Sequence, residues 1–280
     1  MENQQKTWFI TGASQGIGLI LTQQLLAQGY NVAATARDLD KLQNAVGNSS
    51  AQFLPLQVNI SNEKSVKSAV DAAIAKFERI DVLVNNAGFG LIGGIEESSA
   101  TEVQYSFDVN VFGLLNVTRQ VLPYMRAAQS GQIFNLSSVF GLIAGAGWGI
   151  YCATKFAVEG LSEALAQEVK PFGIQVTIIE PGYVRTNFLK SSSIAVPANP
   201  ILTYTAIAEE KRKHLEDVPG NQIGDPAKVA SVMIELSKSQ DPPLRLLLGS
   251  DALQFADYKL LMLQTGIEAN RELSLSTDFK

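Results

Sequence analysis

The sequence is poor in cysteine and histidine and has no long apolar run. Its 280 residues include one cysteine, Cys152, and one histidine, His214. A single cysteine excludes an internal disulfide framework and fits a reducing cytosol. No uninterrupted apolar stretch approaches the roughly 18 residues of a membrane span, and no N-terminal signal pattern precedes the first apolar run. A cytoplasmic protein without a membrane partner is the expectation.

Excess basic charge and metal-ligand spacings are lacking as well. The formal net charge is −5, which argues against a nucleic-acid partner. His214 follows the charged residues 209–213 and is expected to be a solvated helix residue rather than a ligand. No spacing of His, Cys, Asp or Glu indicates a metal site.

Apolar runs alternate with helical patterns along the whole chain. Strands are predicted at residues 7–11, 31–35, 53–58, 81–85, 132–136, 174–179 and 244–248, with helices between them. This alternation predicts right-handed crossovers and a parallel α/β sheet covered by helices on both faces. No change of composition divides the chain, so residues 1–280 are predicted to form one domain.

Tyr151 and Lys155 stand four residues apart in a predicted helix and therefore share one face. A free tyrosine has a pKa of about 10 and is a poor acid or base near neutral pH. A neighbouring cation favours the phenolate and lowers that pKa. The pair is a candidate proton donor and acceptor for carbonyl or alcohol chemistry. Because tyrosine and lysine also meet at this spacing by chance, the pair alone decides nothing.

A glycine-rich turn, residues 11–18, follows the first strand. Its glycines allow a tight turn and a close approach of the backbone to a pyrophosphate at the start of the next helix. The spacing is not G-x-G-x-x-G, and Leu19 and Ile20 stand where a P-loop has lysine and Ser or Thr. An ordinary glycine-rich turn is the alternative, but the position after the first strand favours phosphate binding.

The turn and the Tyr–Lys pair belong to a longer series of motifs. The series is Thr11-Gly12-x3-Gly16-x-Gly18, Asn85-Asn86-Ala87-Gly88, Asn110, Ser138, Tyr151-x3-Lys155 and Pro181-Gly182. In order and spacing it resembles the short-chain dehydrogenase/reductase family over about residues 7–250. The resemblance implies a doubly wound Rossmann-type sheet of seven parallel strands, a nicotinamide cofactor, and hydride transfer between an alcohol and a carbonyl.

The same resemblance implies the catalytic roles. Tyr151 would protonate the carbonyl oxygen, or deprotonate the alcohol in reverse, and Lys155 would lower the tyrosine pKa and hold the nicotinamide ribose. Ser138 would hydrogen-bond the substrate oxygen, with Ser137 as the alternative that its spacing to Tyr151 disfavours. Asn110 would hold a water that relays protons to Lys155.

The resemblance also implies a set of cofactor contacts. They are Gly12, Ser14, Gln15, Gly16, Ile17, Gly18, Arg37, Asn59, Asn86, Ala87, Gly88, Tyr151, Lys155, Pro181, Gly182, Val184 and Thr186. Many family members have Asp at the position of Asn59, whose amide can still offer hydrogen bonds to the adenine end.

Cofactor choice is predicted from the turn after the second strand. NAD enzymes of Rossmann type place Asp or Glu there, against the ribose hydroxyls. Here Ala36 offers no carboxylate, and Arg37 can pair with a 2′-phosphate, so NADP (NADPH) is predicted. The alternatives are that Arg37 is a solvated surface residue and that Asp38 serves the ribose, although capping the next helix is the simpler role of Asp38.

An apolar, glycine-rich loop at residues 139–150 joins Ser138 to Tyr151 and must pass beside the site. The candidate substrate residues are Phe89, Leu142, Ile143, Trp148 and Phe188. Packing in the core is the alternative for part of them. A pocket with these walls suits an apolar ketone, aldehyde or alcohol.

Two segments lie outside the motifs. Residues 186–223 form a predicted substrate loop, with a helix at about 204–215, that is either a mobile lid or a fixed insertion. Residues 250–280 have helical apolar spacing and form a predicted C-terminal extension. Such an extension would remodel the contact that many short-chain enzymes use to form tetramers, so a monomer or homodimer is expected.

The leading functional prediction is an NADP(H)-dependent carbonyl reductase or alcohol dehydrogenase. A catalytically silent NADP-binding sensor or scaffold is the alternative, because fold alone does not fix function. The intact set of Asn110, Ser138, Tyr151 and Lys155 favours the enzyme, since a sensor does not need it. An epimerase or dehydratase of the extended branch is a third possibility, disfavoured by the glycine spacing.

Overall fold

The computed structural model describes residues 5–47, 49–190 and 193–279. The strands there are β1 (Thr7–Ile10), β2 (Asn31–Ala36), β3 (Phe53–Gln57), β4 (Val82–Asn85), β5 (Gly90–Leu91), β6 (Gly131–Leu136), β7 (Ile174–Pro181), β8 (Ile194–Ala195) and β9 (Arg245–Leu248). Within these residues, seven strands form one parallel sheet in the order β3-β2-β1-β4-β6-β7-β9. The predicted α/β sheet of Rossmann type is confirmed, with strand ends shifted by one or two residues.

Helices connect the strands and cover both faces of the sheet. They are α1 (Gly16–Ala27), α2 (Leu39–Val46), α3 (Glu63–Phe77), α4 (Ala100–Phe107), α5 (Leu114–Ala128), α6 (Gly149–Val169), α7 (Thr205–Arg212), α8 (Pro226–Leu236), α9 (Ser250–Ala269) and α10 (Arg271–Leu275). The strand order reverses direction between β1 and β4. A crevice therefore opens at the carboxyl ends of these two strands.

The sheet is buried because its central strands are apolar on both faces. Trp8, Phe9 and Ile10 of β1 are fully buried. Trp8 and Ile10 pack in the core cluster that includes α1 and α8, whereas Phe9 packs in the cluster that includes α3 and α5. Successive side chains of a strand point to opposite faces, so one strand supports both helical layers.

The predicted helix signals at α2 and α8 are confirmed. Asp38 caps α2 by accepting a 2.9 Å hydrogen bond from the Lys41 N–H, and Gly47 ends that helix with φ +65°. Asp225 caps α8 by accepting from the Ala227 N–H at 2.8 Å, with Pro226 as the first helical residue.

The long helix predicted at 102–126 is interrupted. A capping box between Ser99 and Glu102 begins α4, so the helix starts earlier than predicted. A π-helical turn, Asp108–Gly113, then separates α4 from α5 and contains Asn110. Such a turn adds one residue to an α-helix and often marks a functional position.

The segment between β7 and α8 contains more regular structure than a loop. β8 pairs with β5 in a small parallel sheet that lies apart from the main one among the described residues. The helix predicted at 204–215 is present as α7 and the π-helical turn Lys213–Asp217. We call residues 186–223 the substrate loop. Residues 191 and 192 of this segment lie outside the described residues.

The predicted C-terminal extension is helical and projects beyond the sheet. In α9, only Ala252 and Ala256 are buried among the described residues. Most of its large apolar side chains, Phe255 excepted, are about half exposed or more. They are Leu253, Tyr258, Leu260, Leu261, Met262, Leu263 and Ile267.

Candidate active site

Helix α6 and the end of β6 bring the three central residues together. Tyr151 and Lys155 lie one turn apart on α6, and both are buried. The Nζ of Lys155 lies 5.7 Å from the centroid of the Tyr151 ring. Ser138 follows β6, and its Oγ accepts a hydrogen bond from the Phe140 N–H at 3.1 Å. The sequence prediction that these side chains meet is therefore matched by the geometry.

Lys155 is held by the strand beneath it. Its Nζ donates a 2.7 Å hydrogen bond to the carbonyl oxygen of Leu136, at the end of β6. Burial lowers the pKa of Lys155 to about 8, and the charge of Glu159 opposes that lowering. The ammonium group therefore titrates close to the physiological range.

Tyr151 is an acid rather than a phenolate in this environment. Burial raises the pKa of its hydroxyl well above the ordinary value, and a hydrogen bond with Ser138 opposes the rise. The protein side chains therefore favour the protonated phenol. The lowering of this pKa by Lys155 stays a prediction for the site with cofactor bound.

Asn110 joins the segment after β4 to helix α6. Its Oδ1 accepts from the Phe89 N–H at 3.0 Å, and its Nδ2 donates to the Phe89 carbonyl at 2.9 Å. The same Nδ2 donates to Thr154 Oγ1 on α6 at 3.1 Å. Asn110 thus ties the segment after β4 to the helix that carries Tyr151. Its role in holding a relay water stays a prediction.

The glycine-rich turn has the shape that a dinucleotide pyrophosphate requires. Gly12 has φ +68°, and a Cβ on it would lie 2.8 Å from the Cα of Ala87. Gly16 has φ +60°, and a Cβ on Gly18 would lie 2.5 Å from Nδ2 of Asn86. No described side chain caps the first turn of α1, so its backbone N–H groups are available to an anion. The residues present fit the cofactor.

One cavity of about 1010 Å³ runs along this edge of the sheet. Most of the predicted site residues line it. They are Gly12, Ser14, Gln15, Gly16, Ile17, Arg37, Asn59, Asn86, Ala87, Gly88, Phe89, Ser138, Trp148, Tyr151, Lys155, Pro181, Gly182, Val184, Thr186 and Phe188. Gly18 and Asn110 support the wall from behind without lining it.

Leu142 and Ile143 do not line the cavity, in contrast to the sequence prediction. A 3-10 turn, Val139–Gly141, follows Ser138 immediately and directs the Phe140 ring inward. That ring lies 5.6 Å from the Trp148 ring and 6.4 Å from the Tyr151 ring, measured between centroids. Phe140 takes the wall position that was predicted for Leu142 and Ile143.

The prediction that His214 is solvated is wrong. Its side chain is 1% exposed and stacks on Tyr183, with ring centroids 5.8 Å apart. The Tyr183 hydroxyl lies 2.8 Å from His214 Nε2, and the Glu210 carbonyl lies 2.9 Å from Nδ1. The Trp148 ring also packs against His214 in a T-shaped arrangement, with ring centroids 5.1 Å apart. Sequence reasoning also missed Tyr183, whose position directly after Pro181-Gly182 was the available signal.

Arg37 lies at the far end of the cavity from Tyr151, beside Tyr105. Its Nη1 donates a 3.0 Å hydrogen bond to the Tyr105 hydroxyl, and its side chain is exposed. Asp38 does not line the cavity, because it caps α2. Asn59 lines the same end, and its Oδ1 accepts from the Ser61 N–H at 3.1 Å.

Comparison with known proteins decides the family. The sequence profile described as short chain dehydrogenase matches residues 6–196. The chain belongs to the short-chain dehydrogenase/reductase family. It is 37% identical to oxidoreductase BOA17 of Botryotinia fuckeliana, over 97% of this chain and 99% of that one. It is also 38% identical to a 3-ketodihydrosphingosine reductase of Bacteroides thetaiotaomicron, over 86% of each chain.

Solved structures of family members share the fold. A short-chain dehydrogenase from Streptomyces avermitilis has a TM-score of 0.90 and 35% identity, covering 98% of this chain and 100% of its own. A Burkholderia phymatum member in complex with NAD has a TM-score of 0.81 and 25% identity, covering 94% and 96%. A serine dehydrogenase complexed with NADP+ has a TM-score of 0.74 and 27% identity, covering 86% and 94%. The family therefore includes relatives with either nicotinamide cofactor.

Two further features of this member of the family concern the residues that the structure describes. None of their helices is both long and apolar enough to cross a membrane. The same residues contain no cluster of three or more His, Cys, Asp or Glu side chains that could hold a metal ion.

Proposed function

We propose that this oxidoreductase uses NADP(H) to interconvert an apolar ketone or aldehyde and its alcohol. The proposal depends on one observation: a single cavity has proton-transfer side chains at one end and an arginine at the other. Tyr151, Ser138 and Lys155 line one end, and Arg37 lines the other, where no carboxylate directly follows β2. A guanidinium there can pair with a 2′-phosphate.

The side chains divide the chemistry of carbonyl reduction among them. The bound nicotinamide supplies the hydride. Tyr151, which burial keeps protonated, donates its proton to the carbonyl oxygen as a general acid, and the nearby Lys155 ammonium lowers the pKa of its hydroxyl for this step. Ser138 donates a hydrogen bond to the same oxygen and stabilises the negative charge that develops there. Lys155 holds the ribose and contributes positive charge beside Tyr151.

The apolar substrate is supported by the walls around Tyr151. Trp148 and Leu189 are buried, and the Phe188 ring lies 5.8 Å from the Tyr151 ring. These walls bury hydrophobic surface and exclude water from the reacting atoms. The relative described as a 3-ketodihydrosphingosine reductase supports a keto substrate.

The location and the oligomeric state of the enzyme are also part of the proposal. We place the enzyme in the cytoplasm, because a sequence with a single cysteine fits a reducing compartment. We also propose a monomer or homodimer, because α9 follows β9 and would remodel the contact that many short-chain enzymes use to form tetramers.

The decisive experiment is NADPH consumption against a panel of apolar ketones and aldehydes, with carboxylated analogues as matched controls. Turnover of the apolar members supports the proposal. NADPH binding without turnover of any member would instead favour the catalytically silent sensor.

The cofactor preference has its own test. Arg37→Ala should weaken NADPH binding by about 1.5–3 kcal/mol, the range for a hydrogen bond to a charged group, and leave NADH binding nearly unchanged. Arg126→Ala, at an exposed position on α5, is the control for loss of a surface arginine. An equal loss for both cofactors in Arg37→Ala would make Arg37 a structural residue.

A further inference from the structure

A buried cluster of carboxylates lies behind Lys155. Arg245 of β9 contacts three of them among the described residues. Its Nη1 lies 2.5 Å from Glu159 Oε2 and 2.5 Å from Glu180 Oε1, and its Nη2 lies 2.5 Å from Glu163 Oε1. The side chains of Glu159 and Glu180 are 6% and 1% exposed, whereas that of Glu163 is 48% exposed.

The stability of the fold does not account for this cluster. One guanidinium faces three carboxylates, and taking charges out of water costs several kcal/mol per ion. Two of the buried oxygens, Glu159 Oε1 and Glu180 Oε2, have no other donor among the described residues, and the two carboxyl groups can hydrogen-bond each other only while Glu180 keeps its proton. Apolar side chains would fill the same space at lower cost. A cluster in which one guanidinium faces three carboxylates, next to an active site, indicates a function.

Glu159 connects the cluster to the active site. It lies one helical turn after Lys155 on α6, and its negative charge favours the protonated form of that lysine. Its Oε1 also faces the segment that carries Ser138. The Cβ position of Gly141 lies 2.6 Å from this oxygen and 2.6 Å from Ser137 Oγ, which has no described partner either.

We propose that Glu159 is a positioning residue that keeps Lys155 charged, and that Arg245 holds the Glu159 carboxylate in place for this purpose. The inference rests on the proposed function, because it concerns the lysine that binds the cofactor ribose there. Glu180 is a second buried carboxylate that contacts the same Arg245 guanidinium. Ionisation of Glu180 adds negative charge beside Glu159 and further favours the Lys155 ammonium.

Other groups around the cluster do not replace Glu159. The titratable and charged groups that face Glu159 are Lys155 and Glu163 on α6, Glu180 on β7 and Arg245 on β9. Asp251 of α9 instead accepts from the Tyr183 N–H at 2.6 Å. Glu163 shares Arg245 but lies one turn further from Lys155, on the exposed side. It provides a matched control.

The test compares Glu159→Gln with Glu163→Gln, both without cofactor. Acylation of Lys155 by an amine-reactive ester is followed by mass spectrometry as a function of pH, since only the neutral amine reacts. Glu159→Gln should lower the pH at which Lys155 is half-reactive by about one unit, the lower end of the effect of a nearby opposite charge. Glu163→Gln should leave this midpoint unchanged. Circular dichroism confirms that each variant is folded.

NADPH binding, measured by fluorescence without substrate, gives a second readout. Its weakening at alkaline pH should begin at lower pH in Glu159→Gln than in the wild type. An unchanged Lys155 midpoint in folded Glu159→Gln, or an equal shift in Glu163→Gln, would overturn the proposal. Neither readout needs turnover, so a failure to reduce any carbonyl would count against the proposed function alone.

The wild-type protein provides a test if Glu159→Gln does not fold. Carbon-13 labelling of lysine side chains follows the titration of Lys155 by NMR, with Lys155→Met for assignment. The Lys155 signal should show a second inflection where Glu180 takes up its proton. A single titration step of the Lys155 signal, with no response to Glu180, would contradict the coupling.

Discussion

Replacing Glu180 with glutamine should change how the stability of the folded protein depends on pH. Burial, reinforced by the charge of Glu159, raises the pKa of Glu180 from 4.5 to about 7, against the opposing effect of Arg245. The folded state therefore binds a proton that the unfolded state has released between these pH values. Glu180 is thus expected to make the wild type less stable as pH rises through this window.

The magnitude follows from the difference between the two pKa values. A difference of about 2.5 corresponds to about 3.4 kcal/mol, at 1.36 kcal/mol for each unit. Solvent screening near the half-exposed Glu163 reduces this value, and we expect the wild type to lose about 1–2 kcal/mol of stability through the ionisation of Glu180. Glutamine cannot ionise, so Glu180→Gln should not lose this stability as pH rises. Its free energy of unfolding relative to wild type should therefore rise by this amount between about pH 5 and about pH 8.

Urea unfolding at the two pH values measures the difference directly. Glu163→Gln is the control, because it removes a carboxylate from the same arginine at an exposed position. The reasoning is refuted if the difference between Glu180→Gln and wild type is the same at both pH values. It is also refuted if Glu180→Gln gains relative stability as pH falls.

Four further predictions concern the site and its surroundings. Tyr151→Phe should lower kcat by about 10²-fold or more while NADPH binding stays nearly intact, and a variant that keeps most of its turnover would contradict the proton-donor role. His214→Phe should leave the Tyr183 hydroxyl without its partner, which costs about 1–3 kcal/mol locally. Hydrogen exchange in α7 should then be faster in His214→Phe than in wild type. In the wild type, NADPH and a substrate analogue should slow hydrogen exchange in the substrate loop if this loop is a lid. Identical exchange with and without these ligands would show a fixed insertion. Asp251→Ala should remove the hydrogen bond to the Tyr183 N–H, next to Pro181-Gly182, and weaken NADPH binding about tenfold. Leu253→Ala, at an exposed position, is the control. Equal NADPH affinities in the two variants would exclude this role of Asp251.

The strands and the central catalytic geometry were accessible from sequence because their signals are local. The apolar run at Thr7–Ile10 and the glycines after it specify a strand and a tight turn wherever they occur. The spacing of Tyr151 and Lys155 places both on one helical face without any tertiary information. The capping role of Asp38 was predictable in the same way, because Asp38 directly precedes a short helix.

The remaining features depend on contacts between distant parts of the chain. His214 lies in a charged stretch, and its burial is decided by Tyr183 and Trp148, which are far away in sequence. The inward turn of Phe140 follows from a hydrogen bond to Ser138 rather than from hydrophobicity, which is why Leu142 was chosen instead. The carboxylate cluster was invisible because its partners lie on three separate elements.

The π-helical turn between α4 and α5 holds one residue more than a regular α-helical turn would hold. If the same residues, Asp108–Gly113, wound as a regular α-helix, α5 would rotate by about 100° relative to α4. The capping box anchors α4 at one end, and Val121 anchors α5 in the core at the other, so only one of the two helices would keep its buried face. Deleting one residue from the turn would remove the extra residue together with the irregularity, and both helices would keep their buried faces. Single-residue deletions that spare Asn110 should therefore be tolerated better in this turn than in the regular part of α5.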